Sequence, residues 1–218
     1  MLRNYRLIFF VGIRVLVCVF AVTTFAFAAK TPDVFQDDEN TEARREAAKT
    51  AARQLADRDP LLRQRAAEEL AKLAAVEQRK LIEGYRLQEK NARVRVALDW
   101  ALYRMGRAER LFAIVRALDS SSSEQSRSYL IQLDNPEPLY MFLETAKGRA
   151  LVGLLEVFAR IGDSDTLQRI KPFTSVVDPQ VANAARFAEK EISLRLAQNP
   201  NATSARPRET PNTNPTSP

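Results

Sequence analysis

Apolar residues recur at helical spacing through most of this 218-residue chain. Leu62, Ala66, Leu70 and Leu73 fall three or four positions apart, which places them on one face of a helix. The same period continues down the chain, with few glycines and few β-branched runs. The pattern therefore predicts an all-α fold. The predicted helices span residues 41–56, 60–74, 76–88, 93–105, 107–118, 125–133, 136–146, 150–161, 165–173 and 179–196.

Several predicted helices begin with a capping residue before a proline. Asp59-Pro60, Asn135-Pro136 and Asp178-Pro179 each join a good N-cap to a residue suited to the first helical position. Asn40 is predicted to cap the first helix without a following proline. These signals divide the chain into pairs of helices that open with a short polar turn.

A short phrase at the end of a helix repeats along the chain. It reads ALYRMG at residues 101–106 and VFARIG at 157–162, with a weaker copy, YLIQL, between them. A period of about 30 residues filled with helical pattern predicts an α-solenoid, here of four to five antiparallel helical hairpins. The last apolar residues of successive first helices are Leu73, Met105, Leu133, Ile161 and Ile192.

The clearest unit, DPLLRQRAAEELAKL at residues 59–73, resembles the HEAT repeat, particularly the short bacterial form also found in phycobilisome lyases. The resemblance extends over about residues 57–196, although the third unit lacks the Arg and Ala positions and the last departs after residue 189. It implies a superhelix in which the second helices line the concave face. It also implies that Asp59, Arg63 and Arg95 are scaffold residues that tie adjacent repeats together.

Both ends of the chain are predicted to lie outside the helical domain. Residues 1–28 combine basic residues, an apolar stretch and an Ala-Phe-Ala cleavage site, which is typical of a signal peptide. Residues 29–39 are predicted to form a linker, 40–197 the HEAT-like solenoid and 198–218 a disordered tail rich in Pro, Asn and Thr. We therefore expect a periplasmic or secreted protein, with no membrane insertion if the signal is cleaved. An uncleaved N-terminal anchor is the alternative.

The composition excludes several kinds of site. The chain has no histidine, and its one cysteine, Cys18, lies in the predicted signal, which argues against His-dependent nucleophiles and thiol chemistry. Without Arg3, Arg6 and Arg14 of the signal, 30 basic residues face 27 acidic ones, and a net charge of +3 does not argue for nucleic-acid binding. We expect no catalytic residue, no bound metal and no cofactor.

The candidate binding residues lie on the predicted second helices. An offset of 28 residues makes their positions equivalent and produces an aromatic and basic strip suited to a peptide or protein partner. The strip residues are Phe112, Arg116, Tyr140, Met141, Glu144, Gln168 and Arg169. The alternative is that Phe112 and Tyr140 only pack between repeats. Trp100, on the first-helix side, is expected in the core.

The favoured interpretation is an exported, non-enzymatic HEAT-repeat scaffold that binds a protein or peptide in the cell envelope. The alternative is an enzyme or enzyme subunit, lyase-like or a carboxylate-dependent glycan hydrolase, built on the same helices. That activity would need carboxylates converging in one groove. The carboxylates considered for it are Glu68, Glu69, Glu144 and Glu156.

Overall fold

A computed structural model describes residues 34–198, with side chains from residue 40 onward. The described part of the chain is helical and contains no strand, as the hydrophobic pattern predicts. Short 3₁₀ segments at Val76–Gln78, Ala108–Arg110, Glu137–Phe142 and Lys171–Ser175 join the helices. The α-helices are α1 (Val34–Gln54), α2 (Pro60–Leu73), α3 (Arg79–Gln88), α4 (Ala92–Arg104), α5 (Leu111–Ala117), α6 (Ser123–Leu130), α7 (Gly148–Ile161), α8 (Ser164–Ile170) and α9 (Pro179–Gln198).

Two of the three Asx-Pro signals cap α-helices as predicted. The Asp59 carboxylate accepts a hydrogen bond from the Leu61 amide at 2.8 Å, and Asp178 accepts one from the Gln180 amide at 2.9 Å. Each bond satisfies a donor that the first turn leaves without a helical partner. Asn135 also accepts from a backbone amide, at 3.2 Å, but the segment that follows it is a 3₁₀ helix.

The structure differs from the prediction at several element boundaries. Helix α1 begins at Val34, so Asn40 lies inside it instead of capping it, and residues 34–39 of the predicted linker belong to the helix. The predicted helices 76–88 and 107–118 each begin with a 3₁₀ turn, and 136–146 shortens to the 3₁₀ segment Glu137–Phe142. Tighter 3₁₀ turns are favoured only in short pieces, so this third pair is the least regular of the described elements.

Five helices pack side by side in chain order. Helix α2 contacts α4, α4 contacts α6, α6 contacts α7 and α7 contacts α9; we call this row the first-helix layer. Helices α3, α5 and α8 and the segment Glu137–Phe142 follow these helices in the chain. Small residues such as Ala67, Ala97 and Ala101 are fully buried, which lets neighbouring backbones approach closely, while Leu102 and Phe158 fill the space between helices.

The two glycines of the repeated phrase are needed for different reasons. Gly106 has φ of +92°, a left-handed conformation that glycine adopts without a steric penalty. Gly162 has φ of −64°, which any residue can adopt. A Cβ added at Gly162 would lie 2.6 Å from both the Phe158 carbonyl oxygen and Ile192 Cδ1. The first glycine therefore serves the turn, and the second allows α7 and α9 to approach each other.

Arginine side chains join neighbouring elements. Arg63 makes a bidentate ion pair with Glu89, with N–O distances of 2.8 and 3.0 Å, and also donates to the Asp57 carbonyl. Arg195 of α9 donates to two carbonyls at the end of α7, at 2.6 and 2.9 Å. Arg63 therefore joins α2 to the residue that follows α3, whereas the Asp59 carboxylate caps only its own helix. Their role in tying adjacent repeats together stays a prediction. Arg95 is exposed and has no ion-pair partner among residues 40–198.

Two predicted segments lie outside the described residues, namely the signal peptide and all but the first residue of the C-terminal tail. Within residues 34–198, no helix has the length and apolar character needed to cross a bilayer.

Candidate binding surface

A large cleft opens on the first-helix layer, between α2, α4 and α6. Its volume is about 700 Å³. Polar and charged side chains form its rim, and the walls include two aromatic rings from α4 and α6. The lining residues are Arg65, Glu68, Glu69, Ala71, Lys72, Trp100, Arg104, Ser128, Tyr129, Gln132 and Asp134.

A stack of aromatic rings supports one wall of this cleft. Trp100, only 3% exposed, stacks with both Tyr103 and Tyr129, with ring-centroid distances of 5.7 and 5.5 Å. The Arg104 guanidinium lies 5.7 Å from the Trp100 centroid, on the cleft side. Trp100 is thus a core residue, as expected, and its role at the cleft is to hold Tyr129 and Arg104 in place.

Tyr129 is fixed at its hydroxyl as well as at its ring. The hydroxyl donates to Glu68 Oε1 at 2.5 Å and accepts from Gln125 Nε2 at 2.7 Å. Gln64 donates to the same Glu68 oxygen at 2.9 Å. Burial, and after it the hydrogen bond to the Glu68 carboxylate, raises the pKa of Tyr129 far above its usual value. The tyrosine therefore stays neutral and links α6 to α2.

A second cleft lies on the other side of α6, between α6, α7 and α9. Its volume is about 590 Å³. Its apolar side chains include Ile131 and Phe187, which are 41% and 47% exposed, together with half-buried Val152 and Ala184. Exposed apolar side chains that line a cleft are typical of a surface that receives a partner's side chain.

Arg127 lines both this second cleft and a smaller one of about 230 Å³ near α5 and α7. Its guanidinium pairs with Glu124 at 3.1 Å and with Glu156 at 3.0 Å. One guanidinium therefore bridges two carboxylates, and this group of three side chains keeps one net negative charge. Ser128, the next residue, lines the two larger clefts, which therefore meet at the exposed side of α6.

The clefts have a simple origin in the lengths of the helices. Helix α6 has only 8 residues, whereas α4 and α7 have 13 and 14. At 1.5 Å per residue, α6 is about 8 Å shorter than its neighbours. A short helix between two longer ones leaves part of their facing sides uncovered. We call the two larger clefts together the α6 groove.

The predicted strip on the second helices is only partly assembled. Phe112 and Met141 are both more than half exposed, and Phe112 packs edge-to-face on Phe142 at 4.8 Å. Arg116, Glu144 and Gln168 are exposed and make no ion pair among the described residues. Of the seven strip residues, Tyr140 and Arg169 contact each other, with the guanidinium carbon 4.3 Å from the ring centroid.

Tyr140 belongs to a polar cluster at the start of α8. Its hydroxyl donates to Asp163 at 2.8 Å and lies 2.8 Å from the Thr166 hydroxyl, while its ring stacks on Phe158. Burial raises the pKa of Tyr140 to about 12, with the Asp163 carboxylate acting in the same direction. Burial alone would raise the pKa of Asp163, but the hydrogen bonds from Thr166 and Tyr140 outweigh it and hold that pKa below its usual value. The cluster fixes the start of α8.

The carboxylates considered for catalysis are dispersed. Glu68 and Glu69 line the larger cleft, Glu156 pairs with Arg127 in the second, and Glu144 lines neither. Within residues 40–198, no three carboxylates come close enough together to hold a metal ion.

The α6 groove itself was not predicted, although the short spacing between the serine run and Asn135-Pro136 was a signal for a short helix there.

No protein-family model matches the sequence, and no curated protein is significantly similar to it.

Proposed function

We propose that this protein is a non-enzymatic binding protein of the HEAT-repeat type, exported to the cell envelope, that holds a protein or peptide partner. The helices form a superhelix of stacked hairpins, and the partner lies in the α6 groove. The observation that carries the proposal is the groove itself: two clefts of about 700 and 590 Å³ that meet at Ser128.

The groove is favoured over the strip on the second helices for a physical reason. The Tyr140 hydroxyl is already hydrogen-bonded to Asp163 and Thr166, and the Arg169 guanidinium lies over its ring. Phe112 and Met141 remain as its exposed apolar side chains, and neither lines one of the two larger clefts. The groove combines depth, apolar side chains and charged groups, which together give both affinity and orientation.

An enzymatic function is the second candidate, and one observation favours it: Glu68, Glu69 and Asp134 line the same cleft. Against it, Glu68 Oε1 already accepts hydrogen bonds from Tyr129 and Gln64, which gives that carboxylate a structural task. Glu69 lies 3.8 Å from Lys72. A hydrolase in this cleft predicts that Glu68→Gln or Glu69→Gln abolishes turnover of a cell-wall glycan while the fold is retained.

The test of the proposed function is co-purification after chemical crosslinking in cells that produce the protein. We expect a discrete partner protein in the envelope fraction, and we expect the mature chain to begin near residue 29. A chain found wholly in the cytoplasm would contradict the export proposal. If no partner were recovered and the protein turned over a glycan that Glu68→Gln did not, the enzymatic function would replace the binding function as the proposal.

A further inference from the structure

In the α6 groove, more of the acidic side chains than of the basic ones have a hydrogen-bond or ion-pair partner. Most acids already have partners: Glu68 accepts from Tyr129 and Gln64, and Glu124 and Glu156 pair with Arg127. Several guanidinium groups have no acidic partner in the described part of the chain. These are Arg65 and Arg104 at the larger cleft, Arg160 at the second cleft and Arg149 at the small cleft beside it.

Free guanidinium groups select anions with planar, paired acceptors. Each presents five N–H donors, which suits the bidentate recognition of a carboxylate. Asp134 is the one acid of the groove lining that has no hydrogen-bond or ion-pair partner among residues 40–198. The lining of the two clefts carries five basic and five acidic side chains, so its formal charges cancel. The charged lining side chains without a hydrogen-bond or ion-pair partner in the described part of the chain are nevertheless three guanidinium groups and one carboxylate.

The apolar side chains restrict the kind of anion. Ile131 and Phe187 are exposed in the second cleft beside Val152, and Arg160 lines the same cleft. The phosphate backbone of a nucleic acid gains nothing from aliphatic side chains such as Ile131 and Val152, whereas a peptide inserts a leucine or phenylalanine among them and places carboxylates on the neighbouring arginines.

We infer that the α6 groove binds an acidic peptide segment that carries large apolar anchor residues, with carboxylates on Arg65, Arg104 and Arg160 and an anchor side chain between Ile131 and Phe187. This inference rests on the proposed function and specifies the chemistry of its partner. Because the contacts are charge-assisted and partly exposed, the affinity should fall as salt is raised.

The experiment measures binding of synthetic peptides to the full chain by fluorescence anisotropy. The peptides are about 12 residues long, roughly 40 Å when extended. They share two phenylalanine anchors and carry Glu, Gln or Lys at the other positions. We expect the Glu peptides to bind at least about tenfold more tightly than the Gln peptides, and the Lys peptides to bind weakest.

Matched variants locate the binding. Arg104→Gln and Arg160→Gln should each weaken the Glu peptides several-fold and leave the Gln peptides unchanged. The control is Arg53→Gln on α1, which removes the same charge from an exposed position that lines neither cleft. An equal loss in Arg53→Gln would mean that only net charge matters and would overturn the inference.

Other outcomes separate this inference from the proposed function. Gln or Lys peptides that bind as tightly as the Glu peptides would overturn the acidic preference and leave a peptide-binding function in place. Heparin or single-stranded DNA that competes as strongly as the Glu peptides would assign the arginines to polyanions in general and overturn it too. Binding of none of the peptides also overturns it, whereas the crosslinking experiment still decides the proposed function.

Discussion

Replacing Gly162 by alanine tests how tightly the residues pack around the end of α7. The added Cβ would lie 2.6 Å from the Phe158 carbonyl oxygen, 2.6 Å from Ile192 Cδ1 and 2.9 Å from Thr166 Cγ2. Ile192 can rotate or shift, but a backbone carbonyl can move only with its helix. The φ of −64° is compatible with alanine, so the expected cost is steric and comes from overpacking.

The size of the effect follows from these distances. Overpacking of a well-filled core costs about 1–3 kcal/mol, and contacts this short with backbone place Gly162→Ala toward the upper end. For a domain of this size, the loss should lower the melting temperature by about 4–10 °C. The assays are thermal and urea unfolding of the purified protein, both followed by the fluorescence of Trp100, the single tryptophan.

Gly84→Ala provides the matched control. Gly84 lies inside α3, and a Cβ there would meet no atom within 4 Å. Alanine should therefore stabilise the protein by about 0.5–1 kcal/mol through its higher helix propensity. If Gly162→Ala were as stable as Gly84→Ala, or as the natural protein, the tight packing around Gly162 would be refuted.

Three further predictions concern the ties between helices. Arg63→Gln should cost about 2–3 kcal/mol near pH 7, because the Glu89 carboxylate loses its partner. The hydrogen bond from Arg63 holds the pKa of Glu89 below its usual value. The ion pair therefore stabilises the fold fully above about pH 4–5. This contribution is lost as the pH falls through the lowered pKa of Glu89. The difference in free energy of unfolding between the natural protein and Arg63→Gln should therefore decrease when urea unfolding is repeated from pH 6 down to pH 3. A difference that stays constant over this range would contradict the ion pair. Tyr129→Phe should cost about 1–3 kcal/mol through the lost hydrogen bond to Glu68, with Trp100 emission retained; an unchanged unfolding midpoint would argue against that bond. Arg195→Met should cost about 1–3 kcal/mol and increase amide exchange at the end of α7, and unchanged exchange there would rule out the tie.

Local features were accessible from the sequence because they depend on neighbouring residues. The Asp59-Pro60 and Asp178-Pro179 signals identify the starts of α2 and α9, since capping needs only a side chain and an amide two or three residues away. The glycine of Arg-Met-Gly likewise indicates its turn. The helical period predicts which residues are buried, including Leu70 and Leu102.

The α6 groove was not accessible in the same way. It depends on how far α6 extends between α4 and α7, and no single segment of the sequence records the distance between three helices. The predicted strip assumed that equivalent positions in successive second helices face one surface. The 3₁₀ geometry of Glu137–Phe142 changes the angular spacing from about 100° to about 120° per residue, so that equivalence is weakened at Tyr140 and Met141.

Site-specific photocrosslinking tests the location of the partner most directly. A photoreactive benzoylphenylalanine is introduced in place of Ser128, where the two clefts meet, and separately in place of Met141 on the second-helix strip. After irradiation of intact cells, the account predicts one discrete partner adduct from the Ser128 position and none from the Met141 position. An adduct from Met141 alone would place the partner on the strip and contradict the assignment of the α6 groove.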